Sequence, residues 1–253
     1  HHAICTVLDP IVESRLIYDT YACRVGKGAH SALHRCQEFV KKNNYFLKCD
    51  IRKCFESVDH NVLKHLLQKI IKDKSILQLL DIIIDHVPEG YEPGKGLPIG
   101  NLTSQYFANL YLGELDHYLK ERLRLKGYLR YMDDYICFAD SKDELHTILF
   151  EVRRFCSEVL KLRLKEKVVR IAPVSEGVPF FFFIVYKQLI RIQRANLVRM
   201  RSKIKRRHAD YMAGKITEDF FINSMRSMIA HVSHADSAIV RRKEFDELLK
   251  LAQ

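Results

Sequence analysis

No stretch of the chain approaches the roughly 18 to 20 consecutive apolar residues that a membrane-spanning helix requires. The longest apolar run, residues 178–186, is interrupted by Pro179 and has the length of a buried strand. No signal peptide and no membrane partner are expected. The seven cysteines (5, 23, 36, 49, 54, 137 and 156) form no Cys-x-x-Cys pair and no Cys/His cluster at zinc-finger spacing. This argues against a disulfide framework or structural zinc, and for free thiols in a reducing, cytoplasmic setting. Acidic residues are also few, 31 against 42 Lys and Arg, for a formal net charge of +11. A polyanionic partner is implied, since surface Lys and Arg release condensed counterions from a nucleic-acid backbone. An anionic membrane competes less well, because no basic amphipathic helix stands at a terminus.

What is present is a chain of 253 residues, 47% hydrophobic and 29% charged, long enough for one multi-lobed globular unit. Its most informative stretch is residues 128–139, where Asp133 and Asp134 sit between two short runs rich in aromatic and β-branched residues. The pattern predicts a β-hairpin with acids at its tip. Adjacent carboxylates in such a segment need a cation or solvent to be tolerated. An exposed polar turn would serve as well as a metal site, since turns favour Asp.

Three ordered motifs decide between these readings. Tyr131-Met132-Asp133-Asp134 is preceded by Asp50 at the end of the strand-like Tyr45-Phe46-Leu47-Lys48-Cys49-Asp50, then by Phe55, then by Gly96-Leu97-Pro98-Ile99-Gly100-Asn101-Leu102-Thr103-Ser104-Gln105. Over about residues 18–183 the chain resembles a reverse transcriptase. The resemblance implies an α+β right-hand polymerase with an antiparallel palm sheet. Residues 1–45 and 58–98 would be fingers, 46–57 and 99–187 the catalytic palm, and 188–253 a basic helical thumb. Finger strands that normally precede this point are expected to be missing at the N-terminus.

By the same resemblance, Asp50 and Asp133 bind two Mg²⁺ ions, with Mn²⁺ able to substitute. Asp134 supports the primer-side metal, and the carbonyl of Ile51 completes a shell. Carboxylates suit so hard a cation. Lys167 would give a proton to the leaving pyrophosphate, with Lys165 a near rival. Phe55, five residues after Asp50, would bar a 2′-hydroxyl and so select dNTPs; on composition alone it is a core aromatic. Ile99, Gly100, Gln105 and Arg24 are further nucleotide-binding candidates. Arg24 and Lys27 are candidate template or nucleotide contacts, Lys27 on the nucleic acid, and could equally belong to a solvated basic turn. From residue 187 to 207 nine residues are Lys or Arg and none is acidic. Uncompensated like charge on a helix points to a polyanion, so Arg194, Arg201, Lys205 and Arg206 are candidate contacts to an RNA template and DNA or RNA primer.

Elsewhere the periodicity predicts helices over residues 8–21, 31–42, 60–72 with Asp59 as cap, 75–86 with Ser75 as cap, and 142–160. Residues 101–123 read as a long amphipathic helix, 180–186 as the last palm strand, and 217–252 as two helices. Two departures from the family pattern stand out. Phe182 occupies the place of a glycine near the primer grip, which raises the alternative of an idle RNA-binding or phage-defence module on the same fold. Ile99 before Gly100, with Gln105 after the serine, is similar to the reverse transcriptases of diversity-generating retroelements, which copy inaccurately at template adenines. For that class a small basic accessory protein is the expected partner.

Overall fold

The two acidic segments become neighbours because the strands that carry them pair. In the computed structural model, which describes residues 1–87 and 89–238, β1 (Tyr45–Asp50) and the hairpin β2 (Gly127–Tyr131) and β3 (Asp134–Ala139) form an antiparallel sheet with β4 (Arg170–Pro173), in the order β2-β3-β1-β4. Register runs from Tyr45 opposite Ala139 to Asp50 opposite Asp134. Residues 135–139 of β3 are all buried, so this central strand reads as a continuous apolar run with no alternation.

Helices cover the sheet. α7 (Lys142–Glu158) packs on β1, β3 and β4, and α2 (Ala29–Lys42) packs on β2. The other helices before the hairpin are α1 (His2–Glu13), the short α3 (Cys54–Ser57), α4 (His60–Ile70), α5 (Lys74–Asp85) and α6 (Leu102–His117). Side-chain caps start three of them: Asp59 accepts from Val62 N, Asp73 from Ile76 N, and Ser141 from Glu144 N. Each satisfies a backbone donor that the first turn leaves unpaired.

Several expectations are corrected. The first helix stops at Glu13, well short of residue 21. Beyond it the backbone is drawn to the sheet edge, where Arg130 N donates to Asp19 O and Tyr21 N to Arg130 O. The cap of α5 is Asp73, because Ser75 already lies inside the helix. α6 is buried on most of its circumference and so has no polar face, and residues 118–122 continue it as a wider π turn. The apolar run at 178–186 is a hairpin, β5 (Val178–Phe180) and β6 (Phe183–Val185), turning through Phe181 at φ 51°. No turn-forming residue marks that reversal, which is why the run reads as one strand.

The chain divides into two compact units, His1–Pro173 and the part from Val174 onward. In the second, β5, β6 and β7 (Ile190–Ile192) form an antiparallel sheet followed by α8 (Arg194–Met212) and α9 (Glu218–Val232). Met200 and Ile204 of α8 pack against Met225, Met228 and Val232, which leaves the basic residues of α8 outside this small core. The second helix expected within 217–252 lies largely outside the described residues. Among the described residues no helix is long and apolar enough to cross a membrane.

Candidate active site

The reversal between β2 and β3 is tight. Met132 adopts the left-handed conformation, φ 53°, which leaves Asp133 at the tip and Asp134 as the first residue of β3. Ile51 N donates to Asp133 O at 3.2 Å, so the tip is tied to the end of β1 and to Asp50. Burial, and then the charge of Asp50, push the Asp133 carboxyl above its ordinary range. Burial raises Asp134 to about 6, against the pull of Lys48. Lys48 Nζ holds Asp134 Oδ2 at 2.8 Å, while Asp134 Oδ1 is buried without a hydrogen-bond partner.

Beneath the hairpin lies a network that sequence reasoning missed. Arg130 is 0% exposed, and its guanidinium grips the equally buried Asp116 through Nε at 2.8 Å and Nη2 at 2.7 Å. Nη1 donates to Asn109 Oδ1 and, at 2.9 Å, to the carbonyl of Met132. Tyr128 and Thr20 complete the set by donating to Asp116. A buried pair is tolerated only when its remaining donors and acceptors are satisfied, and here they are. One signal was there to read: Arg130 is the one cation in an apolar hairpin.

The structure therefore brings Asp50, Ile51, Asp133 and Asp134 together. It brings Lys165 with them, Nζ 4.0 Å from Asp50 Oδ1, whereas Lys167 is exposed in the turn that follows. Phe55 is half-buried in α3 against the main core. Ile99 is 73% exposed, with Gly100 at φ 96° beside it. Gln105 accepts from the Cys23 thiol at 3.1 Å. Arg24 turns inward: its side chain is 7% exposed and is bonded to Glu13 and to the carbonyls of Ile17 and Thr20. Lys27 lies over the Tyr18 ring, 3.6 Å from its centroid. Arg194, Arg201, Lys205 and Arg206 lie on α8 of the second unit. There the hairpin tip at Phe182 is held by its backbone, Gln193 N donating to Phe182 O at 3.0 Å.

The donor set can be tested for divalent cations. It is all oxygen, one buried carboxylate oxygen has no partner, and burial with mutual repulsion lifts two of the three acids, all of which a hard cation would relieve. Among the described residues, however, no three acidic, Cys or His side chains converge as a metal cage, and Lys48 engages Asp134. The residues thus offer a divalent cation oxygen donors at Asp50, Asp133 and the unpartnered Asp134 Oδ1, with Asp134 Oδ2 held by Lys48.

Comparison with known families gives a match over residues 2–180 to the family described as "Reverse transcriptase (RNA-dependent DNA polymerase)". The chain belongs to the reverse transcriptase family. Among curated relatives, the COX1/OXI3 intron 2 protein of Saccharomyces cerevisiae is 28% identical over 121 residues, covering 46% of this chain and 14% of that protein. The Group II intron-encoded protein LtrA of Lactococcus lactis subsp. cremoris is 23% identical over 274 residues, covering 81% of this chain and 44% of LtrA. The chain thus spans less than half the length of either. Apo telomerase from Candida tropicalis, truncated from its C-terminal domain, has a similar fold: TM-score 0.61 at 14% identity, over 76% of this chain and 45% of that one.

Proposed function

We propose that this chain is an RNA-templated DNA polymerase that extends a DNA or RNA primer with dNTPs, and that it belongs to the diversity-generating class, error-prone at template adenines. One observation carries the catalytic part: the antiparallel pairing of β1 with β3 sets Asp50 opposite Asp134 and ties the Asp133 backbone to Ile51. Carboxylates from strands 83 residues apart thereby share one patch. Asp50, Asp133 and the Ile51 carbonyl would hold two divalent cations, Mg²⁺ or Mn²⁺, with Asp134 in support. Such ions lower the pKa of an attacking hydroxyl and neutralise a departing pyrophosphate.

The chain's own groups do the rest. Lys48 balances Asp134, and Lys165, nearer the acids than Lys167, is the better placed of the two lysines to protonate the leaving group. Phe55 screens the sugar, and the basic side of α8 takes up the phosphate backbone. Residues 1–45 and 58–98 act as fingers, 46–57 and 99–187 as palm, and 188–253 as thumb. The subclass rests on Ile99, whose exposed aliphatic side chain stands before Gly100 and offers a base pair neither donor nor acceptor. A small basic accessory protein is the partner that goes with this class.

The deciding assay is dNTP incorporation on an RNA template with a DNA primer, with and without Mg²⁺, using wild type and Asp133→Asn. Incorporation that needs Mg²⁺ and falls to background in the variant, with RNA affinity retained, is expected. Comparable incorporation by both proteins would remove the catalytic assignment.

A further inference from the structure

Residues 19–23 run along β2, the edge strand of the main sheet. Arg130 N donates to Asp19 O at 2.9 Å, Tyr21 N donates to Arg130 O at 3.0 Å, and the bridge between Thr20 and Arg130 is parallel. Because the two stretches run the same way, Cys23 comes to lie at the end of β2 that turns through Met132 into Asp133. Burial first, and then the charge of Cys23, pushes the Tyr131 phenol up, which puts the thiol within electrostatic reach of the acidic turn.

Three side chains of α6 fasten this segment. Asp116 Oδ2 accepts from Thr20 Oγ1 at 3.1 Å, Asn109 Nδ2 donates to the Ala22 carbonyl at 2.9 Å, and Gln105 Oε1 accepts from the Cys23 thiol at 3.1 Å. Positions 105, 109 and 116 recur at helical spacing, so one face of α6 carries all three. The first two contacts are buried and hold the segment down, whereas the third is exposed.

Two features set Cys23 apart. Of the seven cysteines it alone is exposed. Its backbone is also left-handed, φ 55°, where glycine would sit without strain, so a side chain is kept there against a local preference. The thiol has a single proton to donate, and Gln105 Oε1 receives it. The Gln105 amide nitrogen has no partner among the described residues. The thiol thus fixes which end of the amide stays open, and that end carries two N–H donors and no acceptor.

We propose that Cys23 is a positioning residue for nucleotide addition: by holding Gln105 Oε1, its thiol leaves the amide N–H groups for an acceptor atom of the nucleotide at the acidic turn. With the amide reversed, a carbonyl would face that acceptor and the contact would be repulsive. The proposal rests on the polymerase reading and narrows the part of Gln105 in it to that of a donor.

Steady-state dNTP incorporation by wild type, Cys23→Gly and Cys23→Ser tests it. Cys23→Gly relaxes the backbone but removes the thiol, so KM for dNTP should rise about fivefold, the contribution of one hydrogen bond, with kcat little changed. Cys23→Ser restores an O–H donor and should bring KM back to within about twofold of wild type. A purely structural role predicts the reverse, with Gly tolerated and Ser no better. That order, or equal KM in all three proteins, would overturn the proposal. A second measurement needs no synthesis: the rate at which iodoacetamide alkylates Cys23, followed by mass spectrometry. It should rise severalfold in Gln105→Leu, where the thiol loses its acceptor, and an unchanged rate would overturn the pairing even in a protein that does not polymerise. Absence of Mg²⁺-dependent incorporation by wild type would instead strike the polymerase reading, so the two failures are distinguishable.

Discussion

Arg130 donates from Nη1 to the carbonyl of Met132 at 2.9 Å while its other nitrogens grip Asp116, so one buried ion pair is tied to the acidic turn. The bond lies one residue before Asp133 and helps hold Met132 in its left-handed conformation, φ 53°.

This relationship predicts different outcomes for two variants. Arg130→Met leaves Asp116 buried without its partner and should cost about 3–5 kcal/mol in stability. Arg130→Lys keeps the charge but not the planar fork, so it should recover much of the melting temperature yet lower dNTP incorporation about tenfold or more through a loosened turn. Melting curves and single-turnover rates separate the two effects. A wild-type rate in Arg130→Lys would reduce the residue to a core ion pair.

Phe55 packs on the core from one side and follows Asp50 by five residues. Replacing it with Ala should let ribonucleotides in, because the space a 2′-hydroxyl needs would open without touching an acid. Incorporation of rNTPs relative to dNTPs should rise at least several-fold. Undiminished rejection of rNTPs would leave Phe55 a packing residue only.

Ile99 is exposed beside Gly100 and can neither donate nor accept a hydrogen bond. Ile99→Gln would add one contact worth on the order of 1 kcal/mol, roughly a fivefold to tenfold change in discrimination. Misincorporation opposite template adenine should fall by that factor with elongation retained. Sequencing cDNA from both proteins on one RNA provides the check, and identical error spectra would dissociate Ile99 from infidelity.

His117 offers a pH test away from the acids. Burial lowers its pKa, but hydrogen bonds to the Arg15 carbonyl and the Glu121 carboxylate, both at 2.7 Å, outweigh this and raise it above the usual value. The folded chain therefore holds the proton more tightly than the unfolded chain. The resulting stability is fully present below about pH 6.5 and fades as pH rises through the folded pKa. His117→Gln should lower the melting temperature more at about pH 5.5 than at about pH 8.5. Equal losses at both would mean that His117 is neutral throughout.

Local chemistry made part of the site legible in advance. Asp50, Asp133 and Asp134 sit in short apolar runs where a buried charge has a cost, so their presence demanded an explanation, and β1 begins and ends where its pattern says. Asp59 sits before an apolar helical stripe and caps α4 as its position implies. Neighbouring residues encode such features, and no distant contact is needed to read them.

What the sequence determined by itself, then, was the short strands that carry the acids, the Asp59 cap, and the basic excess of the chain. Tertiary structure decided the contacts between residues far apart in the chain. Lys48 meets Asp134 across 86 positions, and Lys165, not Lys167, approaches Asp50 because the Ile51–Leu164 bridge aligns those backbones. Arg24 was drawn inward to Glu13, and the unbroken run at 178–186 folded back on itself at Phe181. A side chain's period reports which face is buried, but whether a cation ends in solvent, against a carboxylate or beneath a turn depends on which strands and helices come to lie beside it.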